Sequence, residues 1–193
     1  MKAKIVPKQQ IALLYHPERA KNGERLTALL ESMQIDYRIV AEEQLSYTVG
    51  QLAGYQPVGE QPLAEHQPPE GPAMAMGGFV GKSLDSLLNA MMREGIELPV
   101  KMVITPHNEG WAFGKLIEEV SNEHALFMEM ERLKKLSDRA DKLLEREENE
   151  SLRSLSKQAR DLLSRMRLRD DRQPTREELR CAADQLEDLL KTK

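Results

Sequence analysis

Cysteine is almost missing from this 193-residue chain. Cys181 stands alone, which excludes an internal disulfide framework and any zinc site built on clustered cysteines. Aromatic residues make up 4%, so a core has to be assembled from Leu, Ile, Val and Met. No apolar run approaches the roughly 20 residues that a membrane-spanning helix needs, and no membrane association is expected. The opening MKAKIVPKQQ is basic, but the apolar run behind it stops at His16-Pro17. No targeting segment is expected from it, and a cytoplasmic location is. Lys and Arg number 28 against 32 Asp and Glu, a net charge of −4, which argues against a general nucleic-acid binder.

What is present is a charge-rich globular composition, 40% hydrophobic and 31% charged, at a length that supports one or two domains without metals or disulfides. Five of the ten prolines (Pro57, Pro62, Pro68, Pro69 and Pro72) fall in residues 56–72. Proline removes amide donors and favours extended backbone, so this stretch reads as a semi-extended linker.

The segments on either side of it resemble each other. IALLYH, ERLTALLESMQI and DYRIVAEE read as strand, helix and strand, and so do AMAMGGF, LDSLLNAMMREGI and PVKMVITP. After each second strand comes aromatic-x-apolar-Gly-polar-Leu, from Tyr47 to Leu52 and from Trp111 to Leu116, an offset of 64 residues. The pattern predicts a duplicated β-α-β-α unit, with halves 10–55 and 73–128 forming one α/β domain. A single two-stranded half cannot cover both faces of its own sheet.

From Gly114 the pattern turns helical and stays so. Leu116, Val120, Leu126, Met130, Leu133, Leu136, Ala140 and Leu144 read as one long stripe. Leu152, Leu155, Ala159, Leu162, Leu163 and Met166 mark a second helix. Thr175 with Glu178 is a capping-box signature for a third. Residues 129–193 hold 17 basic and 16 acidic side chains, and are expected to form a charged helical hairpin or three-helix extension.

One stretch carries a family resemblance. Lys101-Met102-Val103-Ile104-Thr105, then Asn108 and Trp111, follow Leu84, Leu87, Leu88 and Gly95-Ile96 and precede Glu119 and Glu123-His124. Over residues 73–127 this resembles a bacterial family, domain of unknown function 3783, with Met102-Val103-Ile104 where the family usually has Ala-Val-Leu. The resemblance implies domain limits and a bacterial, cytosolic setting. It implies no activity.

Gly77-Gly78-Phe79-Val80-Gly81-Lys82-Ser83 lies between a strand and a helix and approaches a phosphate loop. The pattern G-x-x-x-x-G-K-[ST] would need glycine at 76, where the chain has Met76. The plainer reading is a strand-to-helix turn with Ser83 near the cap, its amides still open to a simple anion. Thr105, Asn108 and Trp111 lie beyond a strand end, where α/β sheets bind ligands. The alternative is a turn capped by Asn108, with Trp111 and Tyr47 as paired core plugs. Glu119, Glu123 and His124 lack metal-ligand spacing and read as surface charges; no metal and no cofactor is expected. Arg153, Lys157, Arg160 and Arg167 share a helical face that suits phosphates or an acidic partner. It also suits a solvated face opposed by Glu177, Glu178, Asp184, Glu187 and Asp188.

No catalytic constellation assembles from these parts. The leading expectation is a non-enzymatic protein that docks a protein partner, or a second copy, through its helical tail. The alternative is an anion or small-ligand sensor, or an unrecognised enzyme, with its site at Gly78, Gly81, Lys82, Ser83, Thr105, Asn108 and Trp111. Nucleic-acid binding by the basic face is the weaker third.

Overall fold

The computed structural model describes residues 8–57, 69–168 and 173–191, with the side chains of Arg167 and Leu168 outside that description. Residues 58–68 of the expected linker and the turn at 169–172 therefore lie outside the described residues. In chain order the elements are β1 (Ile11–Tyr15), α1 (Leu26–Ser32), β2 (Asp36–Ile39), α2 (Val49–Leu52), β3 (Ala73–Gly77), α3 (Lys82–Arg93), β4 (Val100–Val103), α4 (Phe113–Leu144), α5 (Glu150–Leu168) and α6 (Arg176–Lys191). The chain divides into two compact units, Met1–Ser121 and Asn122–Lys193, each with its own core.

The first unit is mixed α/β. Its four strands form one sheet in the order β2-β1-β3-β4. β1 and β2 are parallel, β3 and β4 are parallel, and the two pairs join through antiparallel β1 and β3, with Leu13 opposite Ala75. Both central strands are buried along nearly their whole length, which is why they read as unbroken apolar runs rather than alternating ones. Side chains still alternate between faces. Leu13, Tyr15, Ala75 and Met102 pack with Val49 and Leu52 of α2 and Phe113, Leu116 and Ile117 of α4. Ala12, Leu14, Met74 and Met76 pack with Leu26 and Leu30 of α1 and Leu87 and Met91 of α3. Each fully buried Leu or Met contributes about 1.5–3 kcal/mol.

The halves repeat one hydrogen-bond scheme. Val40 N–H donates to Leu14 O and Ile104 N–H to Met76 O, both at 2.8 Å. Thr48 and Ala112 bridge each other. Around them Val49 donates to Trp111 O and Phe113 to Tyr47 O, and Gly50 to Glu109 O as Gly114 does to Leu45 O. The members of this set stand 64 residues apart, except the acceptors Leu14 and Met76, which are 62 apart.

The halves also differ. In the second, the long α4 lies over Val100 and Met102, both buried. In the first, the helix in that position is the four-residue α2, and β2 carries exposed Asp36 and Arg38 at the matching places. A strand without a helix over it needs polar side chains there, and β2 has them.

The second unit comprises three helical segments. Leu133 and Ala140 of α4, Leu152, Ala159 and Leu162 of α5, and Leu179, Ala183, Leu186 and Leu190 of α6 enclose one core. At the start of α6, Thr175 N–H donates to Glu178 Oε2 at 2.7 Å and Glu178 N–H to Thr175 Oγ1 at 3.2 Å, the reciprocal cap that the Thr-x-x-Glu spacing predicts. The stripe expected to run unbroken from Leu116 to Leu144 is divided. Leu116 and Val120 serve the sheet, while Leu126, Met130 and Leu133 serve the helical core.

Helices α1 and α3 end alike. Ile35 N–H returns to Leu30 O and Ile96 N–H to Met91 O, both at 2.9 Å. The residue before each is left-handed, Gln34 with φ 57° and Gly95 with φ 64°. Glycine suits that conformation and glutamine does not. Gln34→Gly should therefore stabilise the α/β unit by about 0.5–1 kcal/mol and Gly95→Gln should destabilise it by about 1–2 kcal/mol. Urea unfolding followed by the fluorescence of Trp111, the single tryptophan, reads both; shifts of the same sign would refute the equivalence of the two caps.

Candidate functional site

β3 and β4 are parallel, so Gly78–Ser83 and Thr105–Trp111 leave the same end of the sheet. Gly78 has φ 73°, and a Cβ on it would sit 2.5 Å from Gln9 O; the backbone of Lys8 and Gln9 crosses directly against it. Tyr55 donates its hydroxyl to Gln9 O at 2.7 Å. Lys8 holds Glu109 in an ion pair and lies 4.5 Å from the Tyr55 ring centre. Burial, followed by the charge of Glu109, raises the Tyr55 pKa above its ordinary value. This strand end is occupied by the protein's own side chains.

The polar groups of the two loops are used locally. Gly81, with φ 48°, precedes α3. Ser83 Oγ accepts from Val80 N and donates to Val80 O, each at 3.1 Å, and the Ser83 amide donates to Val80 O at 3.2 Å. Lys82 is exposed. Asn108 Oδ1 accepts from Thr105 N at 2.8 Å, and Asn108 Nδ2 donates to Val103 O at 3.0 Å, so Asn108 caps the turn that ends β4. Trp111 is half-buried against the first core, as Tyr47 is. Lys115 lies 5.7 Å and His107 5.7 Å from the Trp111 ring.

A groove opens at the other end of β4. It has a volume of about 700 Å³ and is walled by Leu88, Met91, Met92, Ile96, Leu98 and Pro99, with Lys21, Glu97 and Lys101 at its margins. Met92 is 71% exposed. Glu97, Leu98 and Pro99 are what create it: in the first half Ile35 runs straight into β2 at Asp36, whereas in the second these three residues separate Ile96 from β4 at Val100. Lys21 pairs with Glu97 at 2.6 Å. Lys101 turns its ammonium to Leu98 O, and desolvation there lowers its pKa below the ordinary lysine value. In sequence Lys101 is marked only as a cation inside an otherwise apolar strand and as part of the family-like stretch, with no ligand role attached to it.

In the helical unit the dominant polar feature is Arg132 on α4. It reaches Asp184 at 2.7 Å and Glu187, both on α6, and Glu129 at 3.6 Å on its own helix. Lys191 holds Glu187 from the other side at 2.8 Å. Asp184 and Glu187 thus answer Arg132 rather than the basic face of α5. On that face Arg153, Lys157 and Arg160 are exposed, and Arg160 pairs with Asp141 of α4 at 3.4 Å. The Arg167 side chain lies outside the described residues. Beside Arg132 a cleft of about 340 Å³ is lined by Met128, Glu131, Lys135, Leu136 and Glu187. Met128, which lines it, is 54% exposed, and Phe127, the residue before, is 52% exposed. Among the described residues no group of three or more His, Cys, Asp or Glu side chains is placed to hold a metal ion, and no helix is long and apolar enough to cross a membrane.

The hydrogen bond from Lys191, then that from Arg132, brings the Glu187 carboxyl down to about 2 from an ordinary 4.5. A depressed folded-state pKa contributes stability that is fully present above the unfolded value and is lost as pH falls through the folded one. The helical unit should therefore lose stability as pH drops from about 4.5 toward 2, the window set by the two Glu187 values. Glu187→Gln should lower its melting temperature at pH 7 and flatten this acid decline. Melts followed by far-ultraviolet circular dichroism at several pH values check both; parallel wild-type and variant curves would remove Glu187 as a source.

No curated protein and no solved structure matches the chain. Residues 72–127, running from the residue before β3 through α3 and β4 into α4, match the family model described as Domain of unknown function (DUF3783).

Proposed function

We propose that this is a non-enzymatic, bacterial cytoplasmic interaction protein whose helical unit docks a protein partner. One observation carries the reading: Phe127 and Met128 are adjacent, large and more than half exposed, on a helix whose Leu133 is buried in a completed core and whose Met130 packs against it. Their exposure is therefore not a shortage of chain to cover them. The cleft beside them is braced by the ion pairs of Arg132 to α6, so its walls are fixed before a partner arrives. Apolar anchors at a preformed cleft with a charged rim are the usual anatomy of a docking surface.

The ligand reading at Gly78–Ser83 and Thr105–Trp111 has less support, since Ser83 and Asn108 spend their polar groups within their own turns. Nucleic-acid binding rests mainly on Arg153 and Lys157, because Arg160 is partnered by Asp141. Within the α/β unit we read the halves as a duplicated β-α-β-α unit, supported by the reciprocal bonds around Thr48 and Ala112.

The test compares the wild-type chain with a Phe127→Ser, Met128→Ser double variant of unchanged circular dichroism. The wild type should retain a stoichiometric protein from cytosol and bind it again once both are purified, with affinity at least tenfold greater than the variant's. Self-association through the same face would appear as a concentration-dependent dimer that the variant lacks. Equal retention by both chains, or none by either, would dismiss the reading.

A further inference from the structure

We propose that the groove between α3 and the start of β4 binds an amphipathic monocarboxylate, with its aliphatic chain along Leu88, Met91, Met92, Ile96 and Leu98 and its carboxylate on the Lys101 ammonium. It shares no residue with the docking face of α4.

Size and lining set the class of ligand. A volume of about 700 Å³ falls in the range of small-molecule sites, about 300–1,000 Å³. The walls are aliphatic, and two methionines adapt to a flexible chain where a rigid wall would not. Met92, 71% exposed beside this space, gains apolar contact only when something fills it.

Charge selects the head group. Of the two ammonium groups at the margins, Lys21 is satisfied by Glu97 at 2.6 Å. Lys101 donates to one backbone carbonyl, Leu98 O, and among the described residues no carboxylate lies within ion-pair distance of it. Lys101 is exposed, and an ammonium whose partner is a neutral dipole favours an anion. Desolvation already depresses the Lys101 pKa, and a bound carboxylate would raise it again. One unpaired ammonium matches one carboxylate; a phosphate dianion calls for more donors than this margin offers.

The segment that opens the groove belongs to the second half. Glu97, Leu98 and Pro99 have no counterpart between Ile35 and β2, and the residue matching Lys101 at the strand offset of 64 is Tyr37, whose hydroxyl is taken by Glu31 at 2.9 Å. Leu98 is buried and Pro99 lines the groove beside it, so the segment that opens the groove also supplies part of its wall and the carbonyl that orients Lys101.

The test is calorimetric titration of the full chain with decanoate below its micellar concentration, with decanol and decyltrimethylammonium as comparisons. Decanoate should bind at one site per chain. Decanol and the cation should bind at least tenfold more weakly. Lys101→Met should cost decanoate at least tenfold while leaving decanol unchanged, and Met92→Asp, at an exposed position, should weaken both. No decanoate binding, several equivalents per chain, equal affinity for decanol, or an unchanged affinity in Lys101→Met would each overturn the proposal.

Discussion

β1 and β3 run antiparallel down the middle of the sheet, buried on both faces. A strand pair in that position cannot be stable until helices lie above and below it, because each face presents Leu, Met or Ala to whatever covers it. α1 and α3 cover one face, and α2 with the first turns of α4 cover the other. Parallel partners then follow from connectivity. A strand that returns after a crossing helix lies parallel to the one it left, so β2 joins β1 and β4 joins β3 at the outside. The only freedom left is at the joint, and Leu13 opposite Ala75 fixes it.

That joint also places the turns at the strand ends. Thr48 and Ala112 pair directly, and the amides and carbonyls around them exchange bonds in matched sets. Each half therefore closes the other. α2, at four residues, would be too short to hold itself by propensity. It persists because Gln51 and Thr48 cap each other at 3.1 and 3.0 Å and because Val49 and Leu52 are buried. Where α2 stops short, Asp36 and Arg38 take the exposed positions of β2, so the inequality of the helices and the polarity of the strand are one fact seen twice.

Much of this was legible in the chain, and the limits have physical causes. Leu26 and Leu30, and Leu87 and Met91, announce helices because periodicity is a local signal. Thr175 with Glu178 announces a cap because its geometry spans one turn. Thr48 and Ala112, at the offset of 64, are the residues that bridge each other. The antiparallel joint was not legible, since it depends on residues 62 apart choosing each other over many alternatives. Nor was the partner of Arg132: the acids of α6 are as close in sequence to the basic face of α5, and only packing decided that Asp184 and Glu187 face α4. Asn108 was legible in kind, as a turn residue, but not in function, because the same side chain serves a ligand or a cap and only its hydrogen bonds distinguish them.

The phase of the apolar positions in α4 carries a last consequence. Phe113, Leu116, Ile117 and Val120 form one 3.6-residue series, and Leu126, Met130, Leu133, Ser137 and Ala140 form another; the two do not join into one. A helix read for a single stripe looks only weakly amphipathic, yet each half of it is fully committed to a core. Phe127 and Met128 lie within the second series, between Leu126 and Met130, yet both are more than half exposed. Apolar side chains there are unexplained by the folding of either unit. Polar residues would serve both cores equally well, and the docking face proposed above gives a phenylalanine and a methionine at these positions a use.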